Sequence, residues 1–187
     1  MQSQAAGSSP AIALREVPLS ATDFAAPIED RHFEDYLPGA VYEYGSIAVT
    51  EAEIIDFDRR YDPQDIHIDP DAAAHGNFGG LIASGWQTVT IMMRLLVAHF
   101  LPKAASLGSP GIDELRWIRP VRPGDALRIR VTVLEATRSR SRPDRGMVRT
   151  LVEVLNQNGE IVMSLKPMNL LSGRDPFPSI PPRAGED

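Results

Sequence analysis

The apolar positions of this chain change their spacing twice. Over residues 41–50, Val41, Tyr42, Tyr44, Ile47 and Val49 supply β-favouring side chains with imperfect alternation, and they predict an early strand. From Thr50 onward the step lengthens to three and four residues. Thr50 and Glu53 stand where a capping box needs them, and Ile54, Phe57 and Tyr61 fall near one face of a short helix. Pro63 predicts a loop or irregular turn in the segment that follows. In "DPDAAAH" a second short helix is expected, with Asp69 as its N-cap and Pro70 at its first position.

The clearest helical signal runs from Ser84 to Phe100. Ser84 and Gln87 have N-cap and capping-partner spacing, and Val89, Met92, Met93, Leu96, Val97 and Phe100 recur at three- and four-residue steps. Its near-continuous apolar character predicts a helix buried beneath a sheet, stopped near Pro102. After Ile112 the period returns to two. "IDELRWI" reads as a strand, the prolines and glycine of "RPVRPGD" as a turn, and Leu127, Ile129, Val131 and Val133 as one side of a long strand. "MVRTLVEVL" and "IVMSLKPMNLL" flank an Asn158-Gly159 turn and predict an antiparallel pair. Strand, helical insertion, buried helix and several antiparallel strands together predict an α+β layer in which the sheet bends around one helix.

Composition bounds this picture without changing it. With 187 residues, 43% of them apolar, the chain can build one ordinary core. Residues 1–25, rich in Ala, Ser, Pro and Gln, read as a flexible or docking arm; residues 26–171 as the domain; and the proline-rich residues 172–187 as a flexible tail. A net charge of -6 argues against wholesale binding to nucleic acid or to an anionic membrane. The absence of cysteine excludes disulfides, thiol nucleophiles and cysteine-ligated zinc. The start has neither a basic n-region nor a long apolar stretch, so a soluble cytoplasmic protein is expected.

The segment "RRYDPQDIHIDPDAAAHGNFGGLIASGWQ" carries the candidate chemistry. On a regular helix Asp62 and His67 would be separated by about 500° of rotation, about 140° apart, but Pro63 allows a loop that aims both inward. A carboxylate and an imidazole so placed can share one water and exchange protons with it. The alternative is a turn-capping aspartate and a hydrogen-bonded histidine. Asp69, Asp71 and His75 could join His67 as metal ligands, but the aspartates already have a helix-starting role and no metal motif emerges; no metal site is expected. In "FGGLIASG" glycine permits close backbone approach, and the helix start offers unpaired N–H groups. Gly85 is then a candidate donor to a thioester oxygen, with Phe78, Gly80, Ser84 and Trp86 as candidate substrate contacts; the alternative is a flexible turn that only leads into the helix. In the basic loop "RSRSRPDRG" Arg140 and Arg142 can contact phosphate, or the loop can be a solvated turn.

Residues 31–171 resemble the MaoC-like dehydratases, a hot dog fold family that includes R-specific enoyl-CoA hydratases. The resemblance is carried by "HFEDYLPG", by "DPQDIH" and by "RPVRPGD". It implies a hot dog fold, with an antiparallel sheet wrapped around a long central helix. The family's hydratase motif lands on "DPQDIH", which makes Asp62 and His67 the implied catalytic pair; Gln64 stands at the motif's asparagine and Asp65 at its proline. The implied reaction is reversible addition of water to the α,β double bond of an enoyl-CoA, with both residues holding one water and Gly85 stabilising the enolate-like oxygen. The resemblance further implies a homodimer or larger homo-oligomer and no cofactor, CoA being part of the substrate. A hot dog thioesterase and a noncatalytic acyl-CoA-binding protein are the alternative functions.

Overall fold

A computed structural model describes residues 24–174. The flexibility expected of the arm and the tail falls outside these residues, except at their inner ends. There Phe24 stacks on Tyr42, with ring centroids 4.2 Å apart and planes 4° from parallel. Arg174 donates to the carboxylates of Glu34 and Asp35.

Five strands form one antiparallel sheet: β1 (Val41–Ala48), β2 (Gly111–Trp117), β3 (Ala126–Arg138), β4 (Arg145–Leu155) and β5 (Ile161–Ser172). Their order is β1-β3-β4-β5-β2, so β1 and β2 are the two edges. The period-two pattern of β3 has the expected consequence, since Leu127, Ile129, Val131 and Val133 are all buried. The β4–β5 hairpin closes at Asn158-Gly159. Gly159 takes a φ of 78°, and the Asn156 side-chain oxygen accepts from the N–H groups of Asn158 and Glu160, both at 3.0 Å. Two irregularities bend the sheet edges. In β1 the register shifts between Gly45 and Ile47. In β2 it shifts between Asp113 and Arg116, where Glu114 has a φ of 55° and its carboxylate pairs with Lys166 at 2.6 Å.

Among the described residues there are four α-helices, α1 (Glu51–Tyr61), α2 (Asp65–Ile68), α3 (Pro70–His75) and α4 (Gly85–His99), besides two short 3-10 turns ahead of β1. Three of them start on the residues expected. Thr50 and Glu53 make a reciprocal capping box on α1, Asp69 caps α3 ahead of Pro70, and the Ser84 hydroxyl accepts the Gln87 N–H on α4. The segment after Pro63 is not a loop throughout. Pro63 ends α1, but the chain re-enters one helical turn, α2, and His67 sits on that turn. This arrangement of a sheet around a central helix is the hot dog fold.

α4 is buried on one face only. Met92, Leu95, Leu96 and, just beyond the helix, Phe100 are in the core, each buried aliphatic or thioether side chain contributing roughly 1.5–3 kcal/mol. Met93 and Val97, expected in that core, are 40% and 53% exposed. The sheet covers one side of the helix, and apolar residues on both sides do not say which side that is. Tyr61, read as part of the apolar face of α1, is likewise exposed, whereas Ile54 is fully buried. Among the described residues no helix is long and apolar enough to cross a membrane.

Candidate active site

His67 is buried, and its orientation follows from its partners. Its Nδ1 lies 2.8 Å from the carbonyl oxygen of Ile82. A carbonyl only accepts, so Nδ1 carries a proton, and Nε2 is the nitrogen turned toward Asp62. Ile82 is held where it can do this, because its own N–H donates to Ile66 O at 3.3 Å and the next residue, Ala83, donates to Val121 O at 2.9 Å. The segment before α4 thus threads between α2 and the turn that leads into β3.

Asp62 is the C-cap residue of α1, its N–H bonded to Asp58 O at 2.9 Å. One carboxylate oxygen lies 3.8 Å from His67 Nε2, and the other accepts from Gln64 Nε2 at 2.6 Å. The separation of 3.8 Å is too long for a direct hydrogen bond, yet one oxygen atom can lie within hydrogen-bond reach of both groups. Gln64 sits at the motif position where asparagine is usual and orients the carboxylate.

A cavity of about 310 Å³ opens beside His67, lined also by Phe78, Gly85, Thr88, Trp117 and Val121. Asp62 is not in its lining. Gly85 begins α4, where N–H groups are free of intrahelical partners. The close approach that demands glycine here is made by the indole of Trp117: a Cβ on Gly85 would lie 2.2 Å from Trp117 Cε2. Trp86 meets Trp117 edge to face at 5.5 Å, and both indoles are half-exposed, with Trp117 alone of the two lining the cavity.

A model of the MaoC-like domain matches residues 35–156. This chain belongs to that family. The MaoC-like chain is similar in structure to a MaoC-like dehydratase from Rhodospirillum rubrum, at 41% identity and a TM-score of 0.72, over 78% of this chain and 99% of that one. It is also similar to the R-hydratase PhaJ1 from Pseudomonas aeruginosa, at 25% identity and a TM-score of 0.61, over 77% and 86% of the two chains. In sequence it is 31% identical over 110 residues to 3-hydroxyacyl-thioester dehydratase Z from Mycobacterium tuberculosis, 58% of this chain and 73% of that protein. To YdeM from Bacillus subtilis, an uncharacterized protein, it is 30% identical over 124 residues, 66% of this chain and 86% of that one.

The fold of this MaoC-like chain brings His67, Phe78 and Gly85 to one cavity, with Asp62 outside that lining, 3.8 Å from His67 Nε2, and Trp86 against Trp117. Gly80, with a φ of 147°, lets the chain pass Arg122, whose guanidinium donates to Phe78 O at 2.6 Å. Ser84 is fully buried and does not line the cavity; its hydroxyl caps α4. Arg140 and Arg142 are not part of this site. The cavity lies at the level of Val162 and the paired ends of β3 and β4, while these arginines are exposed at the tip of the β3–β4 hairpin. The nine residue steps of β3 from Ile129 to Arg138 correspond to roughly 30 Å. Arg138 and Arg145 in the same loop are paired with Glu34 and Asp144. Among the described residues no group of three or more His, Asp and Glu is arranged to hold a metal ion.

Sequence reasoning missed Trp117, Arg122 and Asp58. The first two reach the site across 32 and 44 positions of chain, with no local signal. For Asp58 a signal exists: Ile54, Asp58 and Asp62 are four residues apart, so an acid follows a core isoleucine along one face of α1. Asp58 is fully buried, and its Oδ2 accepts the Ser84 N–H at 3.1 Å.

Proposed function

We propose that this protein adds water reversibly across the α,β double bond of an acyl thioester, with an enoyl-CoA as the substrate class. The observation that carries the reading is the His67–Asp62 pair, with Nε2 held 3.8 Å from a carboxylate oxygen and Nδ1 on the Ile82 carbonyl, beside a cavity of about 310 Å³. The similarity to an R-hydratase and to a 3-hydroxyacyl-thioester dehydratase supports it.

In the hydration direction, water is held between Nε2 and the Asp62 carboxylate. Nε2 takes one proton as the water oxygen bonds to the β carbon. The π electrons move toward the thioester carbonyl, and the enolate-like oxygen that results is stabilised by the Gly85 N–H at the start of α4. The imidazolium then returns its proton to the α carbon, so one water is added and the pair is restored. Dehydration is the same path reversed. The thioester's carrier belongs to the substrate, and the reading needs no separate cofactor.

We further infer that two chains pair along their β2 edges. β2 is bonded on one side only, and Trp117 and Ile118 are exposed at its end beside the cavity. Arg140 and Arg142 contribute to substrate capture through the field they project on the phosphates of CoA. The deciding assay mixes the protein with short, branched and long enoyl-CoA substrates and follows loss of the conjugated absorbance, product mass and free thiol. A mass gain of one water without thiol release is expected. Thiol release would identify a thioesterase, and saturable binding with no product would identify a noncatalytic acyl-CoA binder.

A further inference from the structure

The start of α4 and the end of α1 meet at a residue that touches neither the cavity nor solvent. Asp58 is 0% exposed. Its backbone carbonyl accepts the N–H of Asp62, and its side-chain Oδ2 accepts the N–H of Ser84, the residue before Gly85. One residue therefore holds both halves of the site: the carboxylate that faces His67 and the helix start that faces the substrate carbonyl. A second bond ties the same two helices together, from Gln87 Nε2 to Glu53 O at 3.1 Å.

The other oxygen, Asp58 Oδ1, is buried with no hydrogen-bond partner among the described residues. A carboxylate with a bare oxygen in such a place is far more costly than a carboxylic acid, because burial penalises charge much more than a neutral hydroxyl. The titratable groups that act on Asp58 are Asp62, at the end of its own helix, and His67 on α2, while α4 meets it with the neutral Ser84. Burial pushes the Asp58 carboxyl above the usual carboxylate range. Hydrogen bonds from Ser84 pull it back, electrostatic attraction to His67 does so further, and the charge of Asp62 raises it again.

Building on the hydration reaction inferred above, we propose that Asp58 is a positioning residue that fixes Asp62 and the Ser84–Gly85 amides relative to each other, and that it works as the uncharged acid. Ionisation would put a negative charge directly behind the helix start whose Gly85 amide must stabilise an enolate, and so would oppose the reaction while leaving the contacts in place. Asp58 thus gives turnover an alkaline limit that belongs to neither member of the Asp62–His67 pair.

The test compares wild type with Asp58→Asn, which keeps an acceptor for Ser84 but cannot ionise, and with Asp58→Ala, which removes the acceptor. Infrared spectra of wild type should hold a neutral-carboxyl band above the pH near about 3.9 where ordinary aspartates ionise, and Asp58→Asn should lack it. Asp58→Asn should keep kcat and lose the alkaline decline. Asp58→Ala should lower kcat at least about 10-fold with KM changed far less, and should speed hydrogen exchange at Ser84 and Gly85. No such band, with superimposable pH profiles for wild type and Asp58→Asn, overturns the proposal. If Asp58→Ala does not fold, the band and the Asp58→Asn profile decide it. Should wild type hydrate no enoyl thioester, the functional reading fails, but the infrared band and the exchange of Ser84 and Gly85 still judge the role of Asp58.

Discussion

Gly85→Ala offers a quantitative test of how the candidate site is packed. The added Cβ would lie 2.2, 2.3 and 2.7 Å from three atoms of the Trp117 indole, so the ring or the helix start must move by more than an ångström. Glycine is not needed here for backbone reasons, since Gly85 is helical and is not among the residues with positive φ. Alanine at this position would by itself stabilise the helix by up to about 1 kcal/mol. Overpacking against a fixed ring costs about 1–3 kcal/mol. Trp117 is 51% exposed and can swing aside, but it then gives up the edge-to-face contact with Trp86, worth about 0.5–1.5 kcal/mol. The net expectation is a loss of about 1–2 kcal/mol. In a Trp117→Ala background the obstacle is gone, and Gly85→Ala should be neutral or stabilising. The four proteins form a double-mutant cycle, measured by urea denaturation followed by circular dichroism at one protein concentration. A coupling of about 1–3 kcal/mol is expected. Equal destabilisation by Gly85→Ala in both backgrounds would refute the contact with Trp117 as the reason for glycine.

Gln64→Ala removes the amide that holds Asp62 and should lower kcat by about 3- to 10-fold without unfolding the protein, as stopped-flow hydration and a thermal melt would show. Because the folded protein raises the Asp58 pKa, it binds that proton more tightly than the unfolded chain does. Stability is therefore lost as pH rises from the unfolded value of about 3.9 through the folded one, and urea midpoints should move in favour of Asp58→Asn over that range. Thr50→Ala breaks the capping box on α1 and should cost about 1 kcal/mol in the same assay. Replacing Arg140 and Arg142 together by alanine should lower kcat/KM near about 0.01 M salt, where the Debye length is about 30 Å, and have little effect at about 0.15 M; a loss that persists at the higher salt would mean direct phosphate contact.

What could be read from the chain was mostly local. The caps at Thr50, Asp69 and Ser84 need partners within three residues, and the alternation of Leu127, Ile129, Val131 and Val133 needs only a sheet with one covered face. The turn at Asn158-Gly159 carries its own conformational signal. Asp62, His67 and Gly85 were legible as a set because a motif and a glycine-rich helix start lie in one stretch of sequence. What was not legible depends on tertiary contact. The inner and outer faces of α4 carry the same kinds of side chain, so burial of Met92 and exposure of Met93 follow from where the sheet lies. Pro63 correctly marks the end of α1, yet it does not forbid the short turn of α2 that orients His67 toward Ile82. Trp117 and Arg122 come from the end of β2 and from the turn between β2 and β3. For Asp58 the four-residue step from Ile54 was a legible hint of burial, but its bond to the Ser84 N–H, 26 positions away, was not.

The central claim is that Asp62 and His67 act together on one water. Its most direct test is single-turnover hydration and dehydration of an enoyl thioester accepted by wild type, with Asp62→Asn, His67→Ala and the double variant, after circular dichroism has established that each is folded. Each single variant should be slower by at least about 100-fold in both directions. The double variant should be slower by much less than the product of the two losses, because either deletion alone disables the shared water. Near-wild-type chemistry in either single variant, or losses that multiply in the double, would contradict the account.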